Sequence, residues 1–181
     1  MNITQLTTDR LRLAAPTPQD IPEIVRLAND YDVVRTLARL PYPYGEKDAQ
    51  YFLDEVIPVE PNWKVMRKSD EALLGFVGLK PVEGWRVVEL GYWYGRAYWG
   101  HGYATEAARA VVAHALDDLG TEKILSGHFE INPASGRVLE KIGFRQTGHS
   151  EVYSLAADAD LPHVDMVLEQ REWLADASPR T

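Results

Sequence analysis

The chain contains no cysteine among its 181 residues. This absence excludes a disulfide framework, a thiolate nucleophile and a cysteine-ligated zinc site, and it suits a reducing compartment, so we expect a cytoplasmic protein. Basic residues are also few, with 19 Lys and Arg against 27 Asp and Glu, which gives a formal net charge of −8. Nucleic-acid-binding domains need a basic surface, so this balance argues against one and favours a cationic substrate.

Long apolar runs are scarce as well. Residues 1–13 contain Asp9, Arg10 and Arg12, where a secretion signal would have an uninterrupted apolar stretch. The most apolar helical stretch, residues 104–116, includes charged side chains and is shorter than the about 20 apolar residues that span a bilayer. We therefore expect neither a signal peptide nor a membrane anchor.

The remaining composition is typical of a folded domain, with 45% hydrophobic and 25% charged residues. The length suits one domain at residues 1–174, followed by a flexible tail at 175–181. Strand-like runs are predicted at residues 11–13, 63–67, 73–82, 86–94, 123–131 and 164–168. Helices are predicted at residues 20–29, 33–38, 46–57, 102–119 and 133–142. This order predicts an α/β (α+β) domain with helices packed on a mixed, mostly antiparallel sheet.

The most informative segment joins the predicted strand at 86–94 to the helix at 102–119. It reads Trp99-Gly100-His101-Gly102-Tyr103-Ala104, so two glycines and an alanine let a ligand lie against bare backbone before a helix. Exposed N–H groups and the positive end of the helix dipole can bind a pyrophosphate there without a lysine. The alternative interpretation is a glycine-rich turn that serves geometry alone.

A second motif opens the helix at 133–142. Asn132 stands at the N-cap position, Pro133 at the first helical position and Gly143 after the last turn. Capping alone would account for Asn132, which can accept the backbone N–H of Ser135. The functional interpretation is that Asn132 and Ser135 both face a ligand that enters between two strands.

Together these motifs resemble the GCN5-related N-acetyltransferase (GNAT) superfamily, in particular its ribosomal-protein-alanine N-acetyltransferase-like branch. The similarity extends from residue 8 to residue 174 and keeps the order of the family's segments. The segments are Thr8-Asp-Arg-Leu-Arg-Leu13, Leu90-Gly-Tyr-Trp93, Tyr98-Trp-Gly-His-Gly-Tyr-Ala-Thr-Glu-Ala107, Asn132-Pro-Ala-Ser135 and Lys141-Ile-Gly-Phe144. The resemblance implies a sheet splayed between two strands, acetyl-CoA as the acyl donor, an amine acceptor and no metal.

The resemblance also implies which residues bind the donor. The pantetheine arm would lie along Tyr92, Trp93 and Tyr94 and be bound by Asn132. The pyrophosphate would lie on the loop and helix start formed by Gly100, His101, Gly102, Tyr103, Ala104 and Thr105. Trp99 stands where the superfamily loop usually begins with Gln or Arg, and a Trp at this position is common in the branch.

The catalytic positions depart from the wider superfamily. Leu139 replaces a tyrosine that serves many members as the general acid, and the branch implies that Ser135 protonates the departing thiolate instead. Gly127 and Ser154 occupy two positions where other members carry a basic carboxylate.

Glu89 is the predicted general base, because it precedes the donor-binding strand end and is common in the branch. Glu151 and His149 are the alternatives, while His101 is interpreted as a loop residue near the phosphates. An α-amine with a pKa of about 7.7–8.0 is partly neutral at physiological pH, whereas a lysine amine with a pKa of about 10.4 is almost fully charged. A weak base therefore suffices for an α-amine acceptor.

The predicted activity is acetyl transfer from acetyl-CoA to a primary amine, with a protein N-terminal α-amine as the first choice. The alternatives are a polyamine or other small amine, or a non-catalytic acyl-CoA-binding module. A dinucleotide site is disfavoured, since Thr105 takes the place of the third Gly or Ala of such a loop.

The acceptor pocket is expected between the helices of residues 20–57 and the loop at 156–162, in a monomer or homodimer. The histidines at 114, 128 and 163 show no metal-ligand spacing.

Overall fold

A computed structural model describes residues 3–177, with side chains through residue 173. In this part of the chain eight strands form one sheet: β1 Leu6–Thr7, β2 Leu11–Ala14, β3 Asn62–Arg67, β4 Leu73–Glu83, β5 Val87–Tyr94, β6 Lys123–Phe129, β7 Arg145–Ser154 and β8 Ala159–Glu169. The α-helices are α1 Ile21–Ala28, α2 Tyr31–Val34, α3 Glu46–Tyr51, α4 Tyr103–Ala113, α5 Pro133–Ile142 and α6 Gln170–Ala177. The predicted mixed fold is confirmed.

The sheet opens in its middle. Its strand order is β1-β2-β3-β4-β5-β6-β8-β7, and every neighbouring pair is antiparallel except β5 and β6. The crossover that contains α4 connects these two strands, as a parallel pair requires. Their pairing lasts only from Val87↔Lys123 to Glu89↔Leu125. Beyond this point the strands separate, which confirms the splayed sheet that the resemblance implies.

Helices cover both faces of the sheet. Residues of α4 and α5 pack with Leu90 in the larger core, on a side we call the α4/α5 face. Residues of α1 and α3 pack with Phe76 and Trp93 in the smaller core, on the α1/α3 face. Successive residues of a strand point to opposite faces. On β5 this places Val88, Leu90, Tyr92 and Tyr94 on the α4/α5 face and Glu89, Gly91 and Trp93 on the α1/α3 face.

Local signals account for both helices beside the opening. α5 begins after Asn132, whose side chain accepts the N–H of Ser135, and it ends at Gly143 with φ of 113°, as predicted. α4 is regular only to Ala113 and continues as a π-helical turn, His114–Asp118. Gly120, at φ of 70°, then reverses the chain. The predicted helix at 102–119 is therefore confirmed with a different last turn.

Several elements differ from the sequence-based expectation. β1 and α6 were not predicted, and the helix predicted at 46–57 is α3 followed by a π-helical turn, Phe52–Val56. The helix predicted at 33–38 is instead α2, which starts earlier because the Asp30 side chain accepts the N–H of Asp32. β7 extends over ten residues that no apolar alternation marks, because it is an edge strand with Ser154 as its one buried residue.

The predicted flexible tail begins within α6, and its residues 178–181 lie outside the described part of the chain. Among the helices of the described residues, none is both long and apolar enough to cross a bilayer.

Candidate active site

The opening between β5 and β6 exposes backbone hydrogen-bonding groups. Ser126 Oγ donates to the Leu90 carbonyl at 2.9 Å, where the two strands part. Since Leu90 presents its carbonyl to β6, the alternation of the strand turns the N–H and C=O of Tyr92 toward the same side. On this edge of β5, which faces β6, no strand of the described residues pairs with β5 beyond Glu89. An extended ligand with amide groups can pair with this edge as a strand would.

The glycine loop ends in a helix N-terminus that lacks a side-chain cap. Gly100 and Gly102 have φ of 77° and 79°, a region that favours glycine, and Gly102 is the N-cap of α4. A Cβ on Gly100 would meet nothing within 4 Å, so the loop surface is open. Backbone N–H groups of the first turn, at Tyr103, Ala104 and Thr105, have no partner within the helix. This arrangement suits a pyrophosphate.

The aromatic residues of the loop hold it against β5. Trp99 Nε1 donates to the carbonyl of Tyr94 at 2.8 Å, which ties the loop to the end of the strand. His101 Nδ1 lies 2.8 Å from the Trp99 carbonyl, and its ring stacks on that of Tyr103 at 5.6 Å. His101 is therefore placed as a loop residue, in keeping with its interpretation from the sequence.

The N-terminal segment fixes the start of α4 through Glu106. Thr8 Oγ1 donates to Glu106 Oε1 at 2.6 Å, Arg10 Nε donates to Oε2 at 2.7 Å, and the Arg10 backbone N–H donates to Oε1 at 2.9 Å. Arg10 also donates to the carbonyl of His101 at 3.1 Å and lies over the ring of Tyr103. Burial alone would raise the pKa of Glu106, but the hydrogen bonds from Thr8 and Arg10 outweigh it and lower that pKa.

Replacing Glu106 with glutamine is expected to destabilise the fold by about 1–3 kcal/mol at pH 7, since a largely buried charged acceptor is lost. Because the pKa of Glu106 is lowered by folding, its contribution is present above about pH 4.3 and disappears as the pH falls through the folded pKa. Urea unfolding at several pH values measures both effects.

Glu23→Gln is the matched control for Glu106→Gln. The pKa of Glu23 is also lowered, first by its hydrogen bond from Arg26, but that pair lies on an exposed face of α1. Its replacement should change the unfolding free energy by less than about 1 kcal/mol. Equal losses from the two variants would contradict a structural role for Glu106 at the loop.

Ser135 is hydrogen bonded to a tyrosine of β5. The hydroxyl groups of Tyr92 and Ser135 lie 2.8 Å apart, and the Tyr92 hydroxyl also lies 3.1 Å from the Ser135 carbonyl. Burial raises the pKa of Tyr92, more than its hydrogen bond with Ser135 lowers it, so the phenol stays protonated. The pair therefore brings two protonated hydroxyl groups together on the α4/α5 face.

The other residues predicted for the pantetheine arm differ in where their side chains point. The Trp93 ring stacks on Phe76 at 5.4 Å on the α1/α3 face. The Tyr94 hydroxyl is buried without a hydrogen-bond partner among the described residues, and burial raises the pKa of Tyr94. Asn132 Oδ1 accepts the Ser135 N–H at 3.3 Å, which confirms the cap. Trp93 and Tyr94 can therefore offer a ligand mainly their backbone.

Glu89 lies on the α1/α3 face, at the last paired position before the opening. Its side chain is 52% exposed, and its Oε2 lies 3.5 Å from Lys80 Nζ. Glu89 lines a small cleft of about 40 Å³, and Gly91, Arg39 and Glu60 also contribute to the walls of that cleft. The predicted base therefore borders a cleft that lies over β3, β4 and β5.

The alternative bases point to the other face. His149 pairs with Val164, and Glu151 pairs with Pro162. Val164 packs against the core on the α4/α5 face, and Pro162 lies two residues away on the same strand, so both side chains point to that face. His149 Nδ1 lies 3.1 Å from Glu130 Oε1. Neither residue accompanies Glu89.

Comparison with known proteins identifies the family. Residues 10–145 match the family model described as "Acetyltransferase (GNAT) domain". The chain belongs to the GNAT acetyltransferase family. It is 34% identical over 151 residues to the uncharacterized protein YkkB of Bacillus subtilis, with 77% of this chain and 84% of that protein covered.

Solved GNAT structures share the fold. Spermidine N-acetyltransferase from Vibrio cholerae, solved with CoA and spermine, aligns with a TM-score of 0.78 at 20% identity, over 92% of this chain and 99% of that one. Ribosomal-protein-S5-alanine acetyltransferase from Vibrio fischeri aligns with a TM-score of 0.79 at 14% identity, over 94% and 99% of the two chains.

This GNAT protein is an acetyl-CoA-dependent N-acetyltransferase, and the glycine loop and the open edge of β5 fit the pyrophosphate and amide groups of such a donor. Within the described residues, no group of three or more His, Cys, Asp or Glu could hold a metal ion.

Sequence reasoning missed the partners of two site residues. Neither the hydroxyl of Tyr92 beside Ser135 nor the carboxylate of Glu106 beside Arg10 follows from spacing along the chain. The segment Thr8 to Leu13 gave a hint of the contact between Arg10 and Glu106, because it is part of the resemblance and no role was assigned to it.

Proposed function

We propose that this GNAT enzyme acetylates the N-terminal α-amine of a protein or peptide. The observation that supports this acceptor is the balanced charge of the cleft beside Gly91. Glu60 and Glu89 lie there with Arg39 and Lys80, so two negative and two positive charges sum to zero. Arg39 lies 2.6 Å from Glu60, and Lys80 lies 3.5 Å from Glu89. Each carboxylate already has a cation beside it.

Such a cleft suits one ammonium group better than several. A polyamine carries multiple charges, and a site for it needs carboxylates that are free of competing cations. A peptide N-terminus brings a single ammonium group, which Glu89 can receive at its exposed side. Its pKa of about 7.7–8.0 also leaves part of it neutral at physiological pH, as the chemistry requires.

The chain's groups divide the reaction between the two faces of the sheet. On the α1/α3 face, Glu89 meets the acceptor, and either Glu89 or a second base there removes the surplus proton as the nitrogen forms the C–N bond. The backbone N–H of Tyr92 donates to the carbonyl oxygen as it becomes negative. On the α4/α5 face, the pair of Tyr92 and Ser135 donates a proton to sulfur as the C–S bond breaks.

A panel of acceptors tests this proposal. We expect kcat/KM for peptides with a free N-terminus to exceed that for spermidine by about 10²-fold or more, which corresponds to about 2.7 kcal/mol. The same peptides with an acetylated N-terminus and an internal lysine are the control and should not react. Coenzyme A release and mass spectrometry of the peptide give rate and site. Faster turnover of spermidine would overturn the acceptor assignment.

A further inference from the structure

A histidine from β8 lies on the α1/α3 face beside the opening. Leu125 pairs with Glu89, and Gly127 follows two residues later on β6, so both share the face of Glu89. Asp165 pairs with Gly127, and His163 pairs with Phe129. Paired residues of antiparallel strands point to the same side, which puts His163 and Asp165 on that face too.

The imidazole of His163 lies over Gly127 of β6, the strand that borders the opening. A Cβ on Gly127 would stand 2.2 Å from His163 Cε1 and 2.8 Å from its Nε2. The ring therefore fills the volume that a side chain at residue 127 would need. Gly127 is the first β6 residue on this face beyond the parallel pairing, and Gly91 holds the corresponding position on β5. His163 thus lies on the β6 side of the opening, and neither Gly127 nor Gly91 places a side chain on this face.

Asp165 orients this ring. His163 Nδ1 lies 3.0 Å from Asp165 Oδ1, and Ser150 Oγ donates to the same oxygen at 2.9 Å. A carboxylate at Nδ1 holds the ring proton there and leaves the lone pair on Nε2. The ring also meets Phe129 edge to face, with centroids 5.8 Å apart, and the side chain is 18% exposed. The ring is held in place while remaining reachable.

The charged surroundings of His163 are simple. β6 presents Gly127 and Phe129 to the ring, β7 presents Ser150, and none of these side chains ionises. Asp165, on β8 itself, is the one charged group among the described residues that contacts the ring. Glu89, by contrast, is 52% exposed and lies beside the Lys80 ammonium group.

We propose that His163 is the general base of acetyl transfer and that Asp165 is its positioning residue. The inference rests on the proposed function, because it requires an amine that arrives on the α1/α3 face. As the neutral amine forms the C–N bond, its surplus proton passes to His163 Nε2. The C–S bond breaks, and sulfur takes its proton from the pair of Tyr92 and Ser135. The imidazolium, stabilised by the Asp165 carboxylate, then gives its proton to water, and the pair of Tyr92 and Ser135 takes a proton back from water, so that both groups return to their starting state. Glu89 serves to draw the acceptor into the cleft.

Kinetics of His163→Gln and Glu89→Gln separate the two candidate bases. With the fastest acceptor of the panel, His163→Gln should lower kcat by about 10²-fold or more and remove the acid-side ionisation from the pH profile. Glu89→Gln should raise the acceptor KM and keep that ionisation. His149→Gln removes a histidine with its own carboxylate partner on the opposite face and should keep the wild-type rate.

Chemical rescue distinguishes a base from a packing residue. His163→Ala leaves a space above Gly127, and imidazole added to the solution should raise its rate about tenfold or more if a proton acceptor is what was lost. Full activity of His163→Gln, or a damaged His163→Ala enzyme that imidazole does not rescue, would overturn the proposal. Asp165→Asn should lower kcat less than His163→Gln.

An acceptor-independent measurement uses ¹⁵N NMR of the histidine rings. Wild-type His163 should carry its proton on Nδ1, Asp165→Asn should mix the two tautomers, and acetyl-CoA should shift the Nε2 resonance. If calorimetry shows acetyl-CoA bound and the Nε2 resonance does not move, His163 is not at the reacting centre. The inference about His163 then fails, while the proposed function is unaffected. If the panel reacts only with spermidine, the proposed acceptor fails, and the His163 comparison is decided with spermidine.

Discussion

Replacing Gly102 with valine is expected to weaken acetyl-CoA binding by about 10²-fold or more, which corresponds to about 2.7 kcal/mol. Gly102 has φ of 79° and is the N-cap of α4, so a β-branched residue strains the loop where phosphate would meet the backbone. A Cβ there would also stand 3.5 Å from the guanidinium of Arg10. Titration calorimetry with acetyl-CoA measures the loss.

Gly84→Val is the matched control for Gly102→Val. Gly84 has φ of 58°, and a Cβ there would meet nothing within 4 Å, so valine imposes backbone strain at the opposite end of β5 from the glycine loop. We expect that variant to lose stability and to bind acetyl-CoA as the wild type does. Thermal unfolding of both variants confirms that the proteins compared are folded. Unchanged affinity in a folded Gly102→Val protein would remove the loop from the donor site.

Replacing Ser135 with alanine is expected to lower kcat by about 10²-fold or more, within the range for general acid catalysis. The Tyr92 and Ser135 hydroxyls lie 2.8 Å apart, and in the proposed mechanism they act as one proton source, so Tyr92→Phe should cost a similar factor. The double variant should then be little slower than either single variant, because the two residues act as a unit. Acetyl-CoA affinity should change far less than kcat.

The pH dependence of kcat gives a second measurement of the pair. Since burial raises the pKa of Tyr92, the wild-type rate should show no loss from phenol ionisation up to about pH 10. Tyr153→Phe, which removes an exposed hydroxyl that is hydrogen bonded to Asp158, serves as the control and should leave kcat unchanged. If the double variant of Ser135→Ala and Tyr92→Phe instead loses the product of the two single losses in kcat, the two hydroxyls have independent functions.

Features that depend on neighbours along the chain could be predicted from the sequence. Asn132 and Gly143 set the ends of α5 through capping and a left-handed turn, both of which need only a few adjacent residues. Gly100 and Gly102 likewise indicate a helix start without a side-chain cap from their residue type alone. The resemblance to the GNAT superfamily rested on the same segments, and the family match confirms it.

The choice of face could not be predicted in the same way. Glu89 was the predicted base and Glu151 and His149 the alternatives, but nothing in the sequence shows which face of the sheet each side chain joins. The strand register decides which side of the sheet a residue joins, and a shift of one residue reverses it. Only the pairing of β7 with β8 shows that His149 and Glu151 point away from Glu89.

By itself, then, the sequence determined the GNAT family, the glycine loop and the caps of α5, since these follow from local residue types in a fixed order. The tertiary structure decided which distant side chains meet. Tyr92 reaches Ser135 across 43 positions, and Arg10 reaches Glu106 across 96. Such contacts depend on strand order, register and the point where β5 and β6 part, and the same geometry lays the ring of His163 over Gly127.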